Sequence, residues 1–301
     1  MDPVERYLTE LALLRRSGAG VEELAGYPAL KNLLDAVGEK VKPKVRTIMS
    51  LRNLGGGLPD GGLFTATQFK SRGATEPKDP TRPDVAAIEV KGTSEDINTT
   101  IASDQVNKYL VRYGQVLVTN YFRFVLMVQD RHGGARKADE FDLATNEATF
   151  WRDIAAHPRK YAQERGERFT EFLTRVLRSR ARLTEPADVA WMLASHARDA
   201  MEILGHRDLP SLATIRTSFE DALGISFEGE EGDHFFRSSL VQTLFYGIFS
   251  GWVLWSRQHA EPEAVFDWKD AGWTLHVPMI SALFDQIATR RVLGDLQLVP
   301  V

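Results

Sequence analysis

The stretch "AIEVKG", residues 87 to 92, sets a carboxylate and an ammonium two positions apart. Residues two apart in an extended strand share a face. Glu89 and Lys91 therefore project together, with Ala87 and Val85 behind them, while Ile88 and Val90 face the other way into a core. Such a pair at the end of an apolar strand reads either as an ion pair where the chain meets solvent or as a site; the short pattern taken alone favours the ion pair. Asp60 alters that balance. It lies in "NLGGGLPDGGLF", residues 53 to 64, a single acid among five glycines just ahead of an apolar run. A phosphate-cradling loop, a plain turn and a metal site are the three readings open to that stretch. With the strands around residues 60 and 89 as neighbours, Asp60 and Glu89 share a divalent cation. Hard oxygen donors suit Mg²⁺, which keeps several waters and takes one or two carboxylates plus a phosphate oxygen. A bound Mg²⁺ polarises a phosphodiester and lowers the pKa of a water. Lys91 then orients that water or steadies the developing negative charge, and the glycines let backbone approach a bulky polyanion.

Other polar residues are weighed against this pair. Asp84 lies five residues before Glu89 on what reads as the same strand. At roughly 3.3 Å per residue that is about 16 Å, and odd spacing sets the two on opposite faces, so Asp84 is expected only to open the strand. Gln105 and Tyr109 in "DQVNKY" are four apart and share a helix face. They read as holding a metal-bound water or a phosphate, or as a solvated helix edge. Glu23 reads as a further carboxylate ligand or as an ordinary acid in a first helical turn, where acids are favoured.

The elements that must position these residues follow from periodicity. Val4, Tyr7, Leu8, Leu11 and Leu14 predict a helix over residues 3–16, and "VEELAGYPALKNLLDAV" predicts a second over 21–37, ended by Gly38. "KVRTIMSL", "GLFTATQF" and "DVAAIEVKG" read as three strands, the last two separated by the polar Pro/Gly loop "KSRGATEPKDPTRP". "IASDQVNKYLVRYG" returns to a helical period; "QVLVTN" and "YFRFVLMV" are two more strands, and "QDRHGGARK" reads as a loop. Beyond about residue 136 the strand signal fades into helical patterns, which sets a domain boundary near Gly133 to Lys137.

Composition narrows the class. A chain of 301 residues that is 43% hydrophobic and 26% charged has the material for a folded, sizeable core, and its length suggests two domains or one elaborated domain. A net charge of −4 offers no global basic field for a polyanion. With no cysteine, disulfides and thiolate metal sites are excluded. "SSLVQTLFYGIFSGWVLW" is apolar but short and interrupted by polar residues, so a buried helix is expected rather than a membrane span. No basic, apolar leader is visible at the start, and the expectation is a cytoplasmic protein.

Taken together, Glu23 before "GYPALKNLL", "PDGGLF", "AAIEVKG", "QVNKY" and "VLVTNYFRF" resemble the PD-(D/E)xK nuclease superfamily over roughly residues 20 to 130. The likeness is nearest to the amino-terminal nuclease domain of single-chain restriction–modification enzymes, in which nuclease and adenine methyltransferase share a polypeptide. "FRSSLVQTLFYGIFSGWVLW" resembles the helical connector ahead of that methyltransferase. The resemblance implies an α/β fold with a restriction-endonuclease-like core, an α-β-β-β-α-β mixed sheet, over residues 1–136, followed by an all-α helical connector over 137–301. It implies Asp60, Glu89 and Lys91 as the catalytic set, supported by Gln105 and Tyr109, with Asp60, Glu89 and Glu23 on the metal. It implies Mg²⁺ as cofactor, with Mn²⁺ as a substitute, double-stranded DNA as substrate and a methyltransferase in the same parent chain or operon. The chain carries no methyltransferase motif of the NPPY or DPPY kind, no S-adenosylmethionine loop and no Walker phosphate loop. It is therefore expected to be a fragment of a longer enzyme or a form lacking its partner domain. The alternative is a non-catalytic DNA-binding or coupling module that positions a methyltransferase.

Several signals point to packing or solvation. "GGGLPDGG" lacks the order of a dinucleotide loop, and no two histidines have metal-ligand spacing. Trp191, Trp252, Trp255, Trp268 and Trp273 are expected in packing. Lys160, Arg165, Arg168, Arg175, Arg178 and Arg180 form a basic run that reads either as a track for DNA phosphates or as a solvated charged helix, and Lys40, Lys42, Lys44 and Arg46 form a smaller one.

Overall fold

A computed structural model of the chain describes residues 1–17, 24–51, 58–71, 73–130, 132–182, 185–205, 210–259, 266–275 and 278–287. The chain divides into two units, Met1–Arg182 and Leu183–Val301. The first is a mixed α/β unit. Its elements run α1 (Pro3–Arg16), α2 (Tyr27–Gly38), β1 (Val45–Met49), β2 (Gly61–Thr65), β3 (Ala86–Val90), α3 (Ile97–Ile101), α4 (Asp104–Tyr113), β4 (Gln115–Thr119), β5 (Arg123–Gln129), β6 (Ala135–Asp142), α5 (Glu147–Ala156) and α6 (Pro158–Arg178). The six strands form one sheet in chain order. Neighbours are antiparallel except β3 and β4, which are parallel because α3 and α4 cross over between them.

Every residue of β3 is buried, since it is a central strand with a helical layer on each face. Ala86, Ile88 and Val90 belong to the larger core, with Leu30 and Leu34 of α2 and Phe169 and Phe172 of α6. Ala87 belongs to the opposite core, with Val106, Tyr109 and Leu110 of α4. The period-two alternation expected for this strand is observed, except that Val85, just ahead of it, sides with Ala86 rather than Ala87.

Four expectations are corrected. α2 starts at Tyr27 rather than at residue 21, with Pro28 in its first turn, where the missing amide is no loss; residues 18–23 lie outside the described set. The helix expected over 101–114 is α4, which starts later, at Asp104 behind its N-cap Ser103; Ile101 is the last residue of the preceding α3. Part of the loop expected at 129–137 is the start of β6, an edge strand whose charged residues, Arg136, Lys137, Asp139, Glu140 and Asp142, conceal any apolar alternation. The domain boundary expected after residue 136 therefore falls inside a strand. The first unit continues to Arg182 because Phe150 and Ile154 of α5 and Phe169, Phe172 and Val176 of α6 complete the larger core.

The basic run on α6 is also not one exposed face. Arg175 is 3% exposed and makes two charge-assisted hydrogen bonds to Asp139 of β6, Nε to Oδ2 at 2.7 Å and Nη2 to Oδ1 at 3.1 Å. Arg178 is buried as well, and Arg168 pairs with Glu171. In the smaller run, Lys44 pairs with Glu39, and Arg46 lies over the Phe69 ring.

The second unit carries α7 (Pro186–Gly205), α8 (Pro210–Leu223), α9 (Gly229–Gln258), α10 (Ala271–Leu275) and α11 (Pro278–Ile287). It has its own core, including Phe219, Phe236, Leu240, Leu244 and Phe284. The apolar stretch read as a buried helix lies in α9, and no described helix is long and apolar enough to cross a membrane. α9 is buried along one stripe only; Tyr246 is exposed, Trp252 is partly exposed but stacks on Phe249 of the same helix, and Trp268 packs on Phe284.

Asp139→Ala removes the two hydrogen bonds that Asp139 accepts from a buried guanidinium and is expected to cost about 3 kcal/mol of stability, read by urea unfolding. A loss no larger than that of an ordinary surface substitution would contradict the assignment of this pair as the tie between β6 and α6.

Candidate active site

Glu89 is 1% exposed, the one charged side chain of β3. A buried carboxylate is costly unless paired. Lys91 Nζ donates to Glu89 Oε1 at 2.7 Å, and the Lys91 side chain keeps 25% exposure, so the ammonium lies between the buried acid and solvent. The Lys91 amide donates to the Thr119 carbonyl at 2.8 Å, which carries the β3–β4 ladder one residue past β3 and fixes where this side chain starts. The following turn is tied down by Thr93, whose hydroxyl donates to Glu147 Oε1 at the start of α5 at 2.6 Å.

Asp60 immediately precedes β2. The antiparallel register pairs Leu63 with Ala86, Gly62 with Ala87 and Gly61 with Ile88. Carried one step further, it sets Asp60 opposite Glu89. Side chains directly opposite in an antiparallel pair share a face with Cβ atoms roughly 5 Å apart. Here the Asp60 side chain itself extends the ladder, Oδ2 accepting from the Val90 amide at 2.7 Å. Its carbonyl accepts from the Ser50 amide at 2.6 Å, which ties the same residue to the end of β1. Asp60, Glu89 and Lys91 are thus brought together at the ends of two adjacent strands.

α4 supplies the next two residues. Ser103 caps it, its hydroxyl accepting from the Val106 amide. Val106, Tyr109, Leu110 and Tyr113 form the buried stripe that lays the helix on the sheet. Tyr109 is 2% exposed. Its hydroxyl donates to the Leu58 carbonyl, two residues before Asp60, and accepts from Gln105 Nε2 at 2.9 Å. The tyrosine pKa is raised, first by burial and then by the negative charges of Glu89 and Asp60, with the Gln105 hydrogen bond opposing. The hydroxyl therefore lies within electrostatic reach of both carboxylates.

The donor set fits a hard divalent cation in type: two carboxylates from adjoining strands, with an ammonium beside them. Among the described residues no group of three or more His, Cys, Asp or Glu side chains gathers as metal ligands. Glu23, the third expected carboxylate, lies outside the described residues, as do Gly55, Gly56 and Gly57. Gly61 and Gly62 are buried in β2. A Cβ on Gly61 would meet the Ile48 carbonyl oxygen at 2.8 Å, so this glycine serves the β1–β2 contact rather than the approach of a polyanion. Asp84 stands apart, exposed before β3, its Oδ2 accepting from the Thr65 hydroxyl at 2.9 Å. Leu58, Ser50 and Thr119 were not singled out from sequence; each acts through its backbone, which leaves no mark in residue type.

No family model and no curated protein matches the chain. Among solved structures, a chain in the cryoEM structure of a DrdV–DNA complex is similar at 16% identity and a TM-score of 0.34. The match covers 98% of this chain and 26% of that one, so this chain spans about a quarter of the length of its structural neighbour.

Lys91→Met is expected to destabilise the first unit by about 2 kcal/mol, because it takes the ammonium from a buried carboxylate. Lys91→Met combined with Glu89→Gln is expected to recover most of that loss. Urea unfolding in the presence of a chelator measures both; equal losses in the single and double variants would contradict the pairing.

Proposed function

We propose that the first unit is a Mg²⁺-dependent endonuclease module that hydrolyses phosphodiester bonds in double-stranded DNA, as part of a restriction–modification system. The observation that carries this reading is the hydrogen bond from the Val90 amide to Asp60 Oδ2, which holds one carboxylate beside the buried Glu89 and its Lys91 partner. Asp60 and Glu89 would hold the cation. When bound, it supplies a Lewis acid for the phosphodiester and a water of lowered pKa. Lys91, a quarter exposed at the mouth of the pair, would stabilise the negative charge that builds on the non-bridging oxygens. The water oxygen bonds to phosphorus, one P–O ester bond breaks, and the departing oxygen takes up a proton.

The same reading treats α2, β1, β2, β3, α4 and β4 as the α-β-β-β-α-β order of a restriction-endonuclease-like core, with β5, β6, α5 and α6 as additions. The second unit, with a separate core, is then the helical connector toward an adenine methyltransferase, and the protein works on DNA in the cytoplasm.

With Mg²⁺ or Mn²⁺, the full chain is expected to cut plasmid DNA, and Asp60→Asn, Glu89→Gln and Lys91→Ala are each expected to slow cutting by about 100-fold or more. Equal cutting by Lys91→Ala and the parent chain would remove Lys91 from the mechanism. DNA binding with no metal-dependent cutting would replace the nuclease reading with that of a coupling module.

A further inference from the structure

We infer that Tyr109 is a positioning residue: its hydroxyl, oriented by Gln105, holds the Leu58 carbonyl and thereby sets the carboxylate of Asp60 against β3. The inference rests on the proposed nuclease site only for its consequence in catalysis; the positioning itself is a property of the fold.

A tyrosine hydroxyl has one proton to donate and lone pairs that accept. Here the proton goes to the Leu58 carbonyl, which can only accept, so the group of Gln105 that faces the hydroxyl must be a donor, and its Nε2 is 2.9 Å away. The hydroxyl is thus engaged within the protein, and the residue is 2% exposed. Its effect passes along the chain. Leu58 is joined through Pro59, whose ring restricts the backbone, to Asp60. Asp60 is then held at two further points, its carbonyl by Ser50 and its Oδ2 by Val90. Tyr109 is therefore the link by which α4, on one face of the sheet, fixes an acid that enters from the loop ahead of β2. Burial and the charges of Glu89 and Asp60 hold the tyrosine pKa up, so the donating proton stays in place through neutral pH.

The direction of the Gln105 hydrogen bond supplies a test. Gln105→Glu puts an acceptor where the donor was, so the tyrosine proton is drawn to the new carboxylate and the Leu58 carbonyl loses its partner. Gln105 is exposed, so this change leaves the core intact. Tyr109→Phe removes the hydroxyl outright. Amide hydrogen exchange is read at Val90 and Ser50 in the full chain, without metal or DNA. Both variants are expected to raise exchange at these two amides by about fivefold, the loss of one hydrogen bond, with Leu117 and Val118 of β4 unchanged. In cleavage assays, both are expected to raise the Mg²⁺ concentration for half-maximal rate while the rate at saturating Mg²⁺ stays within about twofold of the parent.

Unchanged exchange at Val90 and Ser50 in both variants would overturn the inference. So would a maximal rate lost at every Mg²⁺ concentration with exchange unchanged, because Tyr109 would then touch the reacting groups. A uniform rise across the whole sheet would also overturn it, since the effect would be one of general stability. Altered exchange in a protein that never cuts DNA would leave the positioning role standing and defeat the nuclease reading alone.

Discussion

The site depends on one hydrogen bond between a backbone amide and a side chain. At the end of β3, the Lys91 amide turns to β4 and bonds to Thr119, while the Val90 amide turns to the β2 side. The β2–β3 ladder ends at Gly61 and Ile88, two steps short of supplying Val90 with a carbonyl. Asp60 offers a carboxylate oxygen in its place. A buried amide without an acceptor costs about 1–3 kcal/mol, so the bond that satisfies Val90 also draws Asp60 to the residue beside Glu89. Sheet closure and the approach of two acids are a single event.

Two adjacent carboxylates at the end of a buried strand oppose folding unless charge is supplied. Lys91 supplies one positive group on the same strand face. The surroundings are otherwise built to hold the pair still. Thr119 fixes the backbone of Lys91, Ser50 fixes that of Asp60, and Tyr109 holds Leu58, so three different elements converge on two strand ends. A buried glutamate at this position is costly to a sheet, and the proposed nuclease reading gives it a use.

Much of this frame was legible from residue pattern. The alternation in "AIEVK" separated Glu89 from Ile88 and Val90 because a strand has a period of two, and the apolar runs of β1 to β5 stood out for the same reason. β6 did not, because an edge strand with charged residues on both sides of the alternation looks like loop. The misplaced boundary followed from that one strand. Arg175 read as part of a surface run because its partner, Asp139, lies on the strand that was not recognised. Gln105 and Tyr109 were legible as helix neighbours, but the Leu58 carbonyl was not, since any residue type presents the same acceptor. The glycines misled in part: those in β2 allow close contact between strands, and their number says nothing of a ligand.

The central claim is that Asp60 and Glu89 act together on one cation. A crystal structure of the protein with Mn²⁺, with anomalous scattering recorded to locate the metal, tests it most directly. The account predicts a single peak within coordination distance of one oxygen of Asp60 and one oxygen of Glu89. A peak that touches only one of the two carboxylates, or none beside either, would contradict it.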